Sequence, residues 1–117
     1  MAGCGPQVTV VVVDLGTPIG REAQHRHPAV VVTAQRLLDA SPSIVQVVPL
    51  TSSLRGFGSE VEIEADRHNG LDHPSSAQCQ HVRTVAAVRL GAPVGNIGTT
   101  VLAQIREVLG LILDVPP

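Results

Sequence analysis

A chain of 117 residues with 44% hydrophobic and 15% charged residues is long enough to bury a core and too apolar to stay unfolded, so a single domain over residues 1–117 is expected. A net charge of −2 argues against a strongly basic nucleic-acid binder and leaves room only for a local basic patch. Cys4 and Cys79 lack metal-ligand spacing and follow no secretory signal, which makes a reducing, cytoplasmic setting the default, and the apolar run at residues 8–13 is too short to cross a membrane.

Residues 1–6 read as a lead-in. A first strand is expected over residues 8–15, where four consecutive valines are stopped by Asp14 and then by Gly16-Thr17-Pro18. Residues 16–27 have no apolar periodicity and hold Arg21, Glu22, His25, Arg26 and His27; a polar loop of that length in a small domain is more often functional than not. It runs into the stretch HRHPAVVV at residues 25–32, which joins ionisable groups to a β-branched run. Pro28 lacks a backbone donor and suits the first residue of a strand. Val30, Val31 and Val32 follow without alternation, as in a strand covered on both faces.

Residues 33–40 contain good helix formers and predict one or two turns closed before Pro42. A further strand is expected over residues 44–50, delivering Thr51 and Ser52 at its end, and residues 52–59 form a turn around Phe57, the only aromatic residue. Glu60, Glu62 and Glu64 then alternate with Val61, Ile63 and Ala65, the pattern of a half-buried strand with a solvated acidic face. Residues 66–76 are polar and turn-rich. Residues 78–83 read as a short strand with Cys79 and Val82 inward, continued by residues 85–90, and residues 91–98 hold a last strand or turn around Val94 and Ile97. Thr99 or Thr100 caps a final helix whose buried face is Val101, Leu102, Ile105, Val108, Leu109 and Ile112, ended by Pro116 and Pro117. The fold class is therefore mainly β with a C-terminal helix, most economically a small, strongly bent sheet or barrel with the helix packed on it.

The acid-base candidates are His25, His27, Glu22 and the Thr51 hydroxyl. Imidazole titrates near neutrality, so His27 beside Arg26 suits proton transfer next to a phosphate-binding guanidinium, although loop histidines are most often simply solvated. Zinc at His25-x-His27 with His68, His73 or His81 has no supporting spacing, and no phosphate-binding glycine loop or dinucleotide fingerprint occurs, so no metal or cofactor is expected.

Several spaced segments resemble the MazF/PemK family of toxin endoribonucleases from type II toxin-antitoxin pairs. Val13-Asp14-Leu15, Pro28-Ala29-Val30-Val31-Val32 and Val47-Val48-Pro49-Leu50-Thr51-Ser52 are similar to the family's V-D-[LF], R-P-A-V-V-[VL] and V-V-P-L-T-S. Gly70-Leu71, residues 75–84, Arg89-Leu90 and Leu109-Gly110-Leu111 continue the likeness in order. The resemblance implies an SH3-like barrel of the MazF/PemK/CcdB kind, a homodimer, a MazE-like antitoxin as partner, and metal-independent cleavage of single-stranded RNA, such as mRNA, to 2′,3′-cyclic phosphate and 5′-hydroxyl ends. Carried over, Thr51, Glu22 and the Arg before Pro perform the chemistry; here His27 stands before Pro28 and Arg26 one residue earlier. Ser52, Gln80, His81 and Arg83 fall at RNA-binding positions, Gln80 and His81 in place of the family's acidic-Gln pair. With so little aromatic surface, base recognition is expected from hydrogen bonds and Arg planes. Two other readings remain open on sequence: a toxin-fold protein without nuclease activity that binds an antitoxin, and a gyrase-poisoning toxin of the same fold.

Overall fold

The computed structural model describes residues 9–14 and 26–116; Cys4, Glu22, His25 and most of the first loop lie outside them. Among the described residues there are seven strands and two α-helices: β1 (Thr9–Asp14), β2 (Arg26–Val31), α1 (Gln35–Leu38), β3 (Ile44–Thr51), β4 (Glu60–Ile63), β5 (Ser75–Gln78), β6 (Arg83–Ala86), β7 (Leu90–Asn96) and α2 (Gly98–Ile112). All pairings are antiparallel, in the order β4-β5-β3-β2-β1-β7, with β6 also on β3. This is the expected mainly β fold with a terminal helix.

The valine runs are covered on both faces, as their lack of alternation predicts. Val10, Val30, Val48 and Leu50 point to one core with Val61, Ile63, Ala77, Cys79 and Ile105 of α2, while Val11, Val13, Val31, Val45 and Val47 point to a second core closed by Leu38 of α1 and Val85 of β6. Burying a valine or leucine side chain contributes about 1.5–3 kcal/mol, so these two layers supply most of the driving force that bends the sheet around β3.

The two edges of the sheet, β4 and β7, have no strand pairing between them among the described residues, and the loop after β4 bridges them. The His68 carbonyl accepts the Asn96 N–H at 2.7 Å. Asn69, 2% exposed, accepts the Asp66 and Leu71 N–H groups on Oδ1 at 3.1 and 3.0 Å and donates Nδ2 to the Glu64 carbonyl at 2.7 Å. Backbone contact this close requires glycine: a Cβ on Gly95 would lie 2.2 Å from the Asn69 carbonyl carbon, and one on Gly70, at φ +68°, 2.1 Å from the Val94 oxygen.

Several sequence expectations are corrected. Strand β2 begins at Arg26 and not at Pro28, because Arg26 and His27 pair with Asp14 and Val13 of β1. Helix α1 is one turn, within the one or two expected, and starts only after Thr33, whose hydroxyl accepts the Gln46 N–H at 2.7 Å and donates to the Gln46 side chain, tying Thr33 to β3. Ser75 and Ser76 lie in a strand, not in the polar loop, and residues 78–83 are not a strand: Cys79–His81 is a 3₁₀ turn, closed by Val82 N–H on the Cys79 carbonyl, that turns Cys79 into the core beneath α2. The acidic row is not uniformly solvated either, for the Glu60 side chain is 1% exposed. Neither Thr99 nor Thr100 caps α2, which starts at Gly98 with its N–H on Asn96 Oδ1 at 2.7 Å. At the other end Asp114, at φ +55°, donates to Leu111 and Val115 to Gly110, a left-handed cap that stops the helix before Pro116. Ile112, expected on the buried face, is 42% exposed.

Candidate functional site

Strands β2 and β3 run antiparallel with Ala29 opposite Pro49 and Val30 opposite Val48. Continuing that register by two residues sets His27 opposite Thr51, and both residues line one cleft of about 460 Å³. Val12, Pro28, Leu50, Leu71 and Val94 form its apolar lining; Ser52, Asp72, His73 and Ser75 join His27 and Thr51 as its polar lining. The cleft therefore sits between the ends of three neighbouring central strands and the loop that bridges the sheet edges.

Each polar group is held by the local chain. Thr51 is the last residue of β3, and its Oγ1 accepts the Ser53 N–H at 3.1 Å, which fixes the hydroxyl at the turn and leaves its proton to donate. Ser75 Oγ donates to the His73 carbonyl at 3.1 Å, tying the bridging loop to β5. The Asn69 bonds hold the segment that contributes Gly70, Leu71, Asp72 and His73.

Of the sequence candidates, the structure brings His27, Thr51 and Ser52 together. Arg26 is exposed at the first position of β2, opposite Asp14, and does not line the cleft. Glu22 lies outside the described residues. Arg83 pairs with Val47, four residues before Thr51 along β3, and neither it nor the exposed His81 lines the cleft. Gln80 is engaged elsewhere: its Nε2 donates to Glu60 Oε2 at 2.6 Å, and its Oε1 is buried without a partner among the described residues. Asp72, His73 and Ser75 were missed as site residues. One signal was available, because His73-Pro74 repeats the dipeptide His27-Pro28.

Glu60 is the electrostatic centre of the neighbouring surface. Burial opposes its charged form, but hydrogen bonds from Gln80, Arg55 and Ser76 and the Arg55 charge outweigh this and hold the carboxyl below its ordinary value. Cys79 is the opposite case: burial pushes its thiol up to about 11, which keeps it protonated in the core. Among the described residues no group of three or more His, Cys, Asp or Glu side chains is placed to hold a metal ion, and no helix is long and apolar enough to cross a membrane.

Residues 7–113 match the family model for the PemK-like, MazF-like toxin of type II toxin-antitoxin system. Endoribonuclease MazF9 of Mycobacterium tuberculosis (strain ATCC 25618 / H37Rv) is 35% identical over 107 residues, covering 87% of this chain and 90% of that protein. Among solved structures, Mycobacterium tuberculosis toxin MazF-mt6 superposes with a TM-score of 0.76 at 22% identity, over 93% of this chain and 99% of the other. An endoribonuclease in complex with its cognate antitoxin, from a mycobacterial species, gives 0.76 at 18% identity over 97% and 98%. The structural likenesses carry the fold; the family match and the sequence relative carry kinship, and by them this chain belongs to the PemK-like, MazF-like toxin family of type II toxin-antitoxin systems.

Proposed function

We propose that the cleft between His27 and Thr51 is where this MazF-family toxin endoribonuclease cleaves single-stranded RNA, leaving 2′,3′-cyclic phosphate and 5′-hydroxyl ends. The observation that carries the site is the meeting of an imidazole and a hydroxyl at the ends of adjacent strands in one cleft. In the reaction the ribose 2′-oxygen bonds to its own phosphorus and the bond from phosphorus to the 5′-oxygen breaks. One group takes the 2′ proton, another protonates the leaving oxygen, and donors stabilise the charge on the phosphoryl oxygens. His27 performs one proton transfer and His73 the other, a division supported by both lining the same cleft. The Thr51 hydroxyl donates to a phosphoryl oxygen, Arg26, next to His27 on β2, supplies positive charge, and Glu22 assists from the first loop. Ser52, His81 and Arg83 contact the flanking RNA, while Gln80 acts through the Glu60 carboxylate it supports.

The same reading makes the toxin a homodimer that acts on cytoplasmic mRNA and is neutralised by a MazE-like antitoxin. The exposed Leu111, Leu113 and Val115 at the end of α2 support a protein partner on that side. The relative's endoribonuclease name favours this reading over a nuclease-free binder or a gyrase poison.

The test is incubation of the purified protein with a long single-stranded RNA in EDTA, with the ends mapped, and initial rates from about pH 5 to 9 for the wild type, His27→Ala, His73→Ala and Thr51→Ala. Cleavage is expected in EDTA, blocked by 2′-deoxy substitution at the cut nucleotide, and lost in Thr51→Ala while the urea midpoint is retained. Each histidine variant should lose one limb of the pH profile. Intact RNA with the wild type, or four equal profiles, would refute the assignment.

A further inference from the structure

The turn between β3 and β4 carries a second construction that the cleft chemistry does not use. Phe57, the only aromatic residue of the chain, is 50% exposed, so neither core holds an aromatic ring. Its ring lies over the Arg55 guanidinium, 4.6 Å from Cζ to the ring centroid, within the range of a cation-π contact. Arg55 is fixed in turn, since its Nη2 donates to Glu60 Oε2 at 2.6 Å, and Glu60 also accepts from Ser76 Oγ at 3.1 Å and Gln80 Nε2 at 2.6 Å. A carboxylate that is 1% exposed thus anchors a half-exposed guanidinium, which steadies a half-exposed ring.

Such an arrangement costs little ordering on binding, because three elements already restrain the ring: the turn itself, β4 through Glu60, and β5 through Ser76. Phe57 follows Thr51 by six residues, so their Cα atoms are at most about 22 Å apart. An RNA strand that leaves the cleft along this turn would reach the ring. Every base has a π-face, so stacking on the ring tolerates any sequence.

Resting on the proposed RNA cleavage, we infer that Phe57, stacked on Arg55 and anchored by Glu60, is a platform for one unpaired base of the RNA outside the scissile nucleotides. Specificity there is low, since stacking reads no hydrogen-bond edge; the gain is affinity and register of the strand.

The test uses the full chain and a fluorescein-labelled single-stranded RNA made uncleavable by 2′-O-methylation, with one abasic nucleotide moved along it position by position. Binding is read by anisotropy. For the wild type, one abasic position away from the methylated nucleotide should weaken binding about 5-fold or more. In Phe57→Leu, which keeps an apolar side chain and removes the π-face, that position should lose its penalty and intact RNA should bind about 5-fold or more weaker. Phe57→Trp should restore the penalty, with indole fluorescence quenched by intact RNA and not by the abasic form at that position. Glu60→Gln should reduce the penalty by freeing Arg55. If the wild type binds and cuts RNA but Phe57→Leu keeps the full abasic profile, the platform is overturned and the cleavage site stands. A wild type that neither binds nor cuts RNA overturns the function itself.

Discussion

Replacing Asn69 by Ala tests whether the loop after β4 both closes the sheet and holds one wall of the cleft. The side chain makes three hydrogen bonds at 3.1, 3.0 and 2.7 Å, and truncation strands the N–H groups of Asp66 and Leu71 and the carbonyl of Glu64. Each bond contributes about 1 kcal/mol net, so the loss is about 3 kcal/mol, a large fraction of the ~5–15 kcal/mol that stabilises a domain of this size. In thermal terms that is a fall of roughly 10–15 °C in Tm. Urea unfolding followed by circular dichroism measures the loss, and native-state hydrogen exchange locates it. The amides of Asp66, Leu71 and Asn96 should lose protection first, Asn96 because its partner is the His68 carbonyl in the same loop. RNA cleavage should also weaken at temperatures where the variant is still folded, since Leu71, Asp72 and His73 line the cleft. A stability change below about 0.5 kcal/mol, or unchanged protection at Leu71 and Asn96, would refute the bridging role, for it would mean that the three bonds exchange with water at no cost.

Two further outcomes follow from charge and backbone geometry. The Glu60 carboxyl is held below its ordinary value by Gln80, Arg55 and Ser76 against the effect of burial, and Asp66 is held low by the N–H groups of Asn69 and His68. Because the unfolded chain protonates these groups first, their contribution is complete above the ordinary carboxylate range and is lost as pH falls through the lowered folded values. The urea midpoint should therefore drop in acid for the wild type and drop less for Glu60→Gln; a wild-type midpoint flat down to about pH 3 would contradict the two carboxylate assignments. Asp114→Gly should stabilise the chain by about 0.5–1 kcal/mol, because Asp114 holds φ +55° at the end of α2, where glycine meets no Cβ penalty. A lower midpoint in that variant would show that the Asp114 side chain contributes more than its backbone costs.

Local sequence was enough for the long elements with a sustained pattern, and failed at the short stretch 78–83, where Cys79 and Val82 suggested a strand and the chain forms a 3₁₀ turn. The valine runs announce strands covered on both faces, and the spacing of Leu102 and Ile105 announces the buried face of α2. The segment ending Pro49-Leu50-Thr51-Ser52 places a hydroxyl at a strand end and carries much of the family likeness. Only the tertiary structure decided what distant residues do for one another. Thr33 left a helix because a β3 amide claimed its hydroxyl, and Glu60 left the solvated face because Arg55, Ser76 and Gln80 converge on it from separate segments. His73 entered the cleft because Asn69, Gly70 and Gly95 let a loop lie against β7. Periodicity reports which way a side chain points along its own element. Which partner meets it there depends on register and on close backbone approach between segments far apart in the chain, and no local pattern encodes those.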